Sequence, residues 1–334
     1  MNKKTIIIAE AGVNHNGSMD LAIKLIDVAA ESGADYVKFQ TFKTNLLVTS
    51  SAEMAGYQKK IIDSGESQAE MLKKLELSQD SFAILAKHAK KKGIGFLSTP
   101  FDIESAITLN DIGMDFYKIS SGDLTNTPFL RQIAKFGKPI ILSTGMATLG
   151  EIEQAVATLE ASLMSIKDIS ILHCTTEYPA PIDEVNLSVI ETLQTAFPGA
   201  VIGYSDHTDG IDISIAATAL GAKVIEKHFT LDKKMIGPDH QASIEPDDLS
   251  MMVKSIRRID QAMGSGRKIP TKSEVLNIKI ARKSIVAATD ILKGTILTSQ
   301  NIAVRRPGDG ISPERWDEIL GSVAQKDYKA NQQI

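Results

Sequence analysis

The sequence predicts a (β/α)8 TIM barrel followed by a small C-terminal domain, an α/β protein. Three observations carry this. Eight short apolar runs recur over roughly the first 260 residues, helix-like stretches separate them, and the chain changes character after about Gln261.

The apolar runs are Thr5–Ala9, Tyr36–Phe39, Ile94–Ser98, Phe116–Ile119, Pro139–Ser143, Ile169–His173, Val201–Tyr204 and Val224–His228. Each is short and rich in Ile, Val, Phe and Leu, as parallel strands buried on both faces are. Between them the period becomes helical. In Ser18–Ser32, the residues Ala22, Leu25, Ile26 and Ala29 fall on one face, and Gly33 follows as a cap. Glu151–Leu163 and Asp212–Leu220 repeat the pattern, the latter ending at Gly221. A doubly wound sheet is the rival architecture. It usually has fewer strands, and no Gly-x-Gly-x-x-Gly follows Ile8. Gly264-Ser265-Gly266 and Pro270 then mark a break. The expected division is a barrel over 1–263, a linker over 264–282 and a small domain over 283–334. Within the linker, Lys272–Arg282 reads as a polar connector. The last 52 residues carry two strand-like pieces, Ser284–Ala288 and Thr295–Ser299. So small a domain is expected to pack on the barrel or on a partner subunit.

Composition excludes several classes. Hydrophobic residues make up 43% and charged residues 23%, too apolar for a disordered chain. Lys plus Arg is 37 against 41 Asp plus Glu, a net charge of −4, without the basic excess of a general nucleic-acid binder. No apolar run approaches the ~20 residues of a membrane span. Glu10 ends the first apolar run too early for a secretory signal. The single cysteine, Cys174, forbids an intrachain disulfide and suits a reducing compartment. A cytoplasmic location is expected.

In such barrels the active site lies at the C-terminal ends of the strands. Here those ends read Glu10; Lys38 and Gln40; Thr99; Lys118 with Ser121; Ser143; His173 to Thr176; Ser205 with His207; Glu226 with His228. All eight are polar or ionisable. Strand alternation turns Lys38, Gln40, Glu226 and His228 inward, and Phe39 and Lys227 away. Two lysines among short hydroxyls suit a small polyanion such as a phosphate ester with a carboxylate. Lysines in the mouth would be costly unless an anion arrived to pair with them. A Schiff-base lysine is the competing reading. His207 and His228 come from adjacent strands and are reasonable ligands for a divalent ion such as Mn2+, although buried hydrogen-bonded histidines are commoner. His173 and Cys174 face opposite ways, which argues against a Cys–His nucleophile, and Cys174 is expected to serve packing. His15, in the turn Asn14–Gly17, is expected to be exposed. The loop Gly237–His240 is expected to overhang the mouth.

Ordered segments across the chain, IIIAEAGVNHNG, VKFQTF, LSTPFD, YKISSGD, ILSTGM, LHCTTEYPAP, GYSDHT, IEKHFTLDK and GPDHQAS, resemble the sialic acid synthase family. The tail segment VRRPGDGIS resembles the antifreeze-like (SAF) domain of those enzymes. The resemblance implies condensation of phosphoenolpyruvate (PEP) with an N-acylated amino sugar, in a domain-swapped homodimer. It implies that Lys38, Thr99, Lys118, Ser121, Ser143, Thr176 and Ser205 hold PEP. Gln40, Tyr57, Tyr178, Glu226, Asp239 and Arg306 would contact the sugar, and His207 and His228 would bind Mn2+. Glu10 and Glu226 are the implied catalytic carboxylates. N-acetylmannosamine is the sugar first expected, and 2,4-diacetamido-2,4,6-trideoxymannose the alternative. The segment KFQTF and the run Ala55–Gln58 depart from members with KHQTH and a Gly-Asn-Ala loop.

Overall fold

The computed structural model describes residues 4–49, 52–54 and 67–334. The chain divides into two compact units, Met1–Ser265 and Gly266–Ile334. Tyr57 and Gln58 lie outside the described residues.

The first unit holds eight parallel strands: β1 (Ile6–Gly12), β2 (Tyr36–Thr41), β3 (Gly95–Pro100), β4 (Tyr117–Ile119), β5 (Ile140–Ser143), β6 (Ile169–Cys174), β7 (Val201–Asp206) and β8 (Val224–His228). The ladder runs β3-β2-β1-β8-β7-β6-β5-β4, and β3 lies beside β4 where the ring closes. This is the expected barrel. Residues such as Ile7, Val37, Leu142, Ile171 and Ile225 are buried, which is why the strands read as continuous apolar runs. The first strand runs past the predicted end, to Gly12. Its register slips between Glu10 and Gly12, a bulge that re-aims the strand where Glu10 leaves it.

Helices cover the outside. Met19–Glu31 is capped by the Ser18 side chain, and it buries Ala22, Leu25, Ile26 and Ala29, the face read from its spacing. Leu149–Glu160 starts with a capping box between Thr148 and Glu151. It stops before Leu163, which is 97% exposed.

An additional short helix, Gln68–Leu75, precedes the barrel helix Gln79–Lys92. Two contacts place it. Thr44 donates its N–H and its hydroxyl to Glu76 Oε2, at 3.1 and 2.8 Å. Gly17 passes so close that a Cβ there would collide with the Lys74 carbonyl oxygen, and its φ of +74° is one that glycine adopts freely. The helix therefore rests on loops that follow β1 and β2. Its Met71 and Leu75 join Val13, Phe42 and Met54 in a small apolar cluster of their own.

Outside the ring, Lys227 and Asp206 form a fully enclosed ion pair of 3.1 Å. Lys227 Nζ also donates to the Thr208 carbonyl at 2.6 Å. Asp206 accepts from Thr208 N–H (2.9 Å), Thr208 Oγ1 (2.7 Å) and Ser214 Oγ (2.6 Å). This network fixes the turn that carries His207. Because Lys227 points outward, its neighbours Glu226 and His228 point inward.

The second unit pairs β9 (Ser284–Ala287) with β10 (Ile302–Arg305), antiparallel. Its core gathers Ile285, Ala287, Ile291, Leu297, Ile302, Ala324 and Tyr328. Residues expected as a polar connector are instead an α-helix, Lys272–Ala281, with a capping box between Thr271 and Glu274. It buries no side chain, so it shows no apolar stripe in the sequence. Among the described residues no helix is long and apolar enough to cross a membrane.

Removing Asp206 leaves a buried ammonium unpaired. Asp206→Ala is therefore expected to cost about 3–5 kcal/mol of stability, read as a lowered midpoint in urea denaturation. A loss within about 0.5 kcal/mol, the range of an ordinary surface change, would show that the pair is dispensable.

Candidate active site

The strand ends converge on a cavity of about 310 Å³. Glu10, Lys38, Gln40, Thr99, Lys118, Ser121, Ser143, Thr176, Tyr178, Ser205, His207, Glu226, His228 and Asp239 all line it. Arg306 belongs to the second unit, where its Nε donates to the Ala281 carbonyl at 3.1 Å.

Four buried charges form the floor. Lys38 Nζ lies 2.8 Å from Glu10 Oε2 and 3.7 Å from Glu226 Oε2. Lys118 Nζ lies 3.4 Å from Glu226 Oε1. Each lysine also donates to a hydroxyl: Lys38 to Thr99 Oγ1 at 2.9 Å, Lys118 to Ser143 Oγ at 2.7 Å. Ser205 Oγ donates to Glu226 Oε1 at 2.9 Å. This corrects the expectation that the lysines need an incoming anion to be tolerated. Glu10 and Glu226 are their internal counterions.

The two carboxylates titrate in opposite directions. Burial pushes Glu10 up to about 7, because a single nearby lysine offsets it only in part. Burial would also raise Glu226, but Lys118, Lys38 and the Ser205 hydroxyl outweigh it and hold the group at about 2. Burial alone would lower Lys38, yet Glu10 and Glu226 keep it above its ordinary value. Burial lowers Lys118, and Glu226 offsets this only partly. Burial raises Asp239 to about 6.

The imidazoles sit at the rim. His207 Nδ1 lies 2.6 Å from the Thr175 carbonyl, to which it donates, so Nε2 keeps the free lone pair. His228 Nδ1 is buried with no hydrogen-bond partner among the described residues. The two rings are 5.6 Å apart, and Tyr178 packs on both, at 4.1 and 5.6 Å between centroids. Burial would lower His207, but the Cys174 sulfur and the Thr175 carbonyl outweigh it and raise the ring, whereas burial lowers His228. In their neutral forms, two imidazoles so placed fit a borderline divalent ion as two of its ligands. Among the described residues no group of three or more His, Cys, Asp or Glu completes a shell.

Two further expectations are corrected. Cys174 does not merely pack. It lines the cavity, with Sγ 3.8 Å from Ser121 Oγ and 3.7 Å from His207 Nδ1. Its neighbour His173 turns away, bonded to the Val185 carbonyl at 2.7 Å, as alternation requires. His15 is buried rather than exposed, and burial lowers it to about 4. Its Nδ1 accepts from Gly17 N–H at 3.0 Å, so the ring braces the turn.

The sequence reading missed an apolar part of the lining. Val13, Met71, Leu72, Leu75 and Phe101 contribute it, all from the loops after β1, β2 and β3 and the Gln68–Leu75 helix. The pattern Ser67-x-x-Glu70 ahead of Met71, Leu72 and Leu75 was the available clue, and the capping box is present.

Residues 25–268 match the NeuB family, and residues 282–334 match the SAF domain. The chain belongs to the NeuB family. It is 55% identical over 332 residues to the N,N'-diacetyllegionaminic acid synthase of Campylobacter jejuni, covering 99% of both chains. It is 39% identical over 319 residues to the human N-acetylneuraminate-9-phosphate synthase, covering 94% of this chain and 87% of that one. Among solved structures, an N-acetylneuraminic acid (sialic acid) synthetase from Leptospira borgpetersenii aligns with a TM-score of 0.73 at 35% identity, over 83% of this chain and 91% of the other. This member of the NeuB family is thus an enzyme of the sialic acid or legionaminic acid synthase type, a carbon–carbon bond-forming transferase.

Glu10 holds its extra proton more tightly folded than unfolded. Between its ordinary value of 4.5 and about 7, stability therefore falls as pH rises. Glu10→Gln cannot titrate there. Its stability relative to wild type should rise from about pH 5 to about pH 7, by on the order of 1 kcal/mol per unit, in metal-free urea denaturation. A pH-independent difference would show that Glu10 is not raised.

Proposed function

We propose that the enzyme condenses PEP and water with 2,4-diacetamido-2,4,6-trideoxymannose, giving a legionaminate-type nine-carbon 2-keto acid and phosphate. The full-length likeness to the Campylobacter synthase carries the choice of sugar over N-acetylmannosamine. The paired lysines and hydroxyls of the cavity floor support PEP as the partner.

Lys38 and Lys118 hold the phosphate and carboxylate of PEP, with Thr99, Ser121, Ser143, Thr176 and Ser205 donating hydroxyls. Thr176 Oγ1 is buried and without a partner among the described residues, as a donor kept for a ligand would be. Glu226 stays ionised between the lysines. Glu10, poised near neutrality, takes up a proton when the anion arrives, so the four groups pass from net zero to net +1.

C3 of PEP then bonds to the aldehyde carbon of the open-chain sugar, and Glu10 gives its proton to the aldehyde oxygen. Water adds at the cationic C2 and loses its proton to the now ionised Glu10. The tetrahedral adduct expels phosphate and leaves the 2-keto acid. The lysines stabilise the phosphate charge throughout. Gln40, Tyr57, Tyr178, Asp239 and Arg306 are proposed sugar contacts. His207 and His228 would hold Mn2+, which supplies Lewis-acid polarisation of the aldehyde when bound. Because Lys38 is kept charged by its carboxylates, it serves as a cation rather than as an imine-forming amine. The small core of the second unit supports a domain-swapped homodimer as the working form. A cytoplasmic setting suits the free Cys174.

Purified enzyme given PEP, Mn2+ and each sugar in turn should release phosphate and yield a product of the nonulosonate mass. No phosphate with either sugar would overturn the reading. Glu10→Gln should lower kcat at least ~10²-fold while the KM for PEP stays near wild type. Near-normal turnover would remove Glu10 from the proton transfer. His207→Ala should abolish Mn2+ binding in calorimetry as well as activity, and unchanged metal binding would refute the assignment.

A further inference from the structure

The cavity is chemically two-sided. Its floor and the β4 to β8 side present mostly charges, hydroxyls and imidazoles, with Met146 and Pro238 beside them, whereas on the β1 to β3 side Val13, Met71, Leu72, Leu75 and Phe101 form a continuous hydrocarbon cluster. Val13, Met71 and Leu75 are themselves buried, and Leu72 and Phe101 pack against them. None of these five residues can donate or accept a side-chain hydrogen bond. They are assembled by an inserted helix that the barrel does not require, anchored through Thr44, Glu76 and the close pass of Gly17.

We infer that this apolar wall determines sugar specificity: it receives the methyl groups of a 6-deoxy, doubly N-acylated hexosamine and disfavours a hexosamine with a free C6 hydroxyl. The inference rests on the PEP-condensing reading above and adds to it the residues that choose the sugar. Against such a wall a methyl group leaves water at a gain, while a hydroxyl loses its hydrogen bonds to water and finds no replacement. A phosphorylated C6 would be disfavoured more strongly, because the wall carries no cation. Discrimination by one or two such groups in a pocket is typically about 10–200-fold. The polar floor is common to every sugar, since it meets PEP and the aldehyde end, so it cannot supply this choice.

The test compares kcat/KM for 2,4-diacetamido-2,4,6-trideoxymannose and for N-acetylmannosamine, both at saturating PEP and Mn2+, by phosphate release. Wild type should favour the first by at least ~10-fold. Leu72 is only partly buried, so Leu72→Ser is a tolerable lesion for the fold. That variant should lose most of the preference through the KM of the deoxy sugar, with the KM for PEP unchanged. Leu72→Met should restore it, because hydrocarbon of similar volume returns. Turnover of both sugars with no preference in wild type overturns the inference and leaves the synthase reading standing. So does a preference that survives Leu72→Ser. Absence of phosphate from either sugar overturns the synthase reading, and the wall inference falls with it.

Discussion

Two lysines and two glutamates buried in one cavity floor impose the main constraint on this molecule. Alone, any of them would be expelled or neutralised, since an unpaired charge in a low-dielectric interior is too costly to keep. Together they are tolerated because Lys38 touches both carboxylates and Lys118 touches Glu226. The pairing is unequal. Glu226 has two cations and a hydroxyl, Glu10 has one close cation, and that difference separates their proton affinities. One carboxylate is thereby fixed as an anion and the other is left able to exchange a proton near neutral pH. A pair of carboxyls driven apart in this way is the arrangement that proton-transfer chemistry needs.

The barrel makes the arrangement possible. Parallel strands deliver side chains to a common rim at fixed spacing, and alternation sends every second residue outward. Glu226, Lys227 and His228 illustrate it. The outer residue of the three cannot be left unpaired either, so Asp206 on β7 neutralises it. Strand β8 therefore carries ionic contacts on both faces, Glu226 with the two lysines inside and Lys227 with Asp206 outside. The bulge at the end of β1 serves the inner face, because it turns the chain just where Glu10 must meet Lys38.

What the sequence disclosed follows from this regularity. Strands and inward residues were legible because period two and period 3.6 are visible in one chain. Alternation alone places Lys38, Glu226 and His228 on the inner face. Other features left no periodic trace. Lys272–Ala281 is helical without burying a side chain, so only its capping box could announce it. The burial of His15 comes from tertiary packing around a turn, which local composition does not encode. Cys174 was oriented correctly relative to His173, but its role depends on Ser121 and His207, which lie 53 and 33 residues away. That Glu10 and Glu226 neutralise the lysines is likewise not legible, since the contacts depend on the register of one strand against another and on the closing of the ring.

The division of labour in the cavity explains why the reaction is easier to read than the sugar. The groups proposed to hold PEP stand on or just after strands whose register is locked by the ladder, and moving one would disturb its neighbours. Their residue types are therefore constrained jointly by folding and by chemistry, and they stand out as polar ends on apolar runs. The apolar wall proposed to face the sugar is built differently. It hangs on a short helix held by a few contacts with two loops, outside the main core and within its own small cluster. Substituting Leu72 or Met71 alters the shape and polarity of the wall without touching a ladder hydrogen bond. Such residues look like ordinary hydrophobic packing in a sequence, and only their position over the charged floor gives them meaning. A barrel organised this way can keep one reaction and change its substrate through one inserted element.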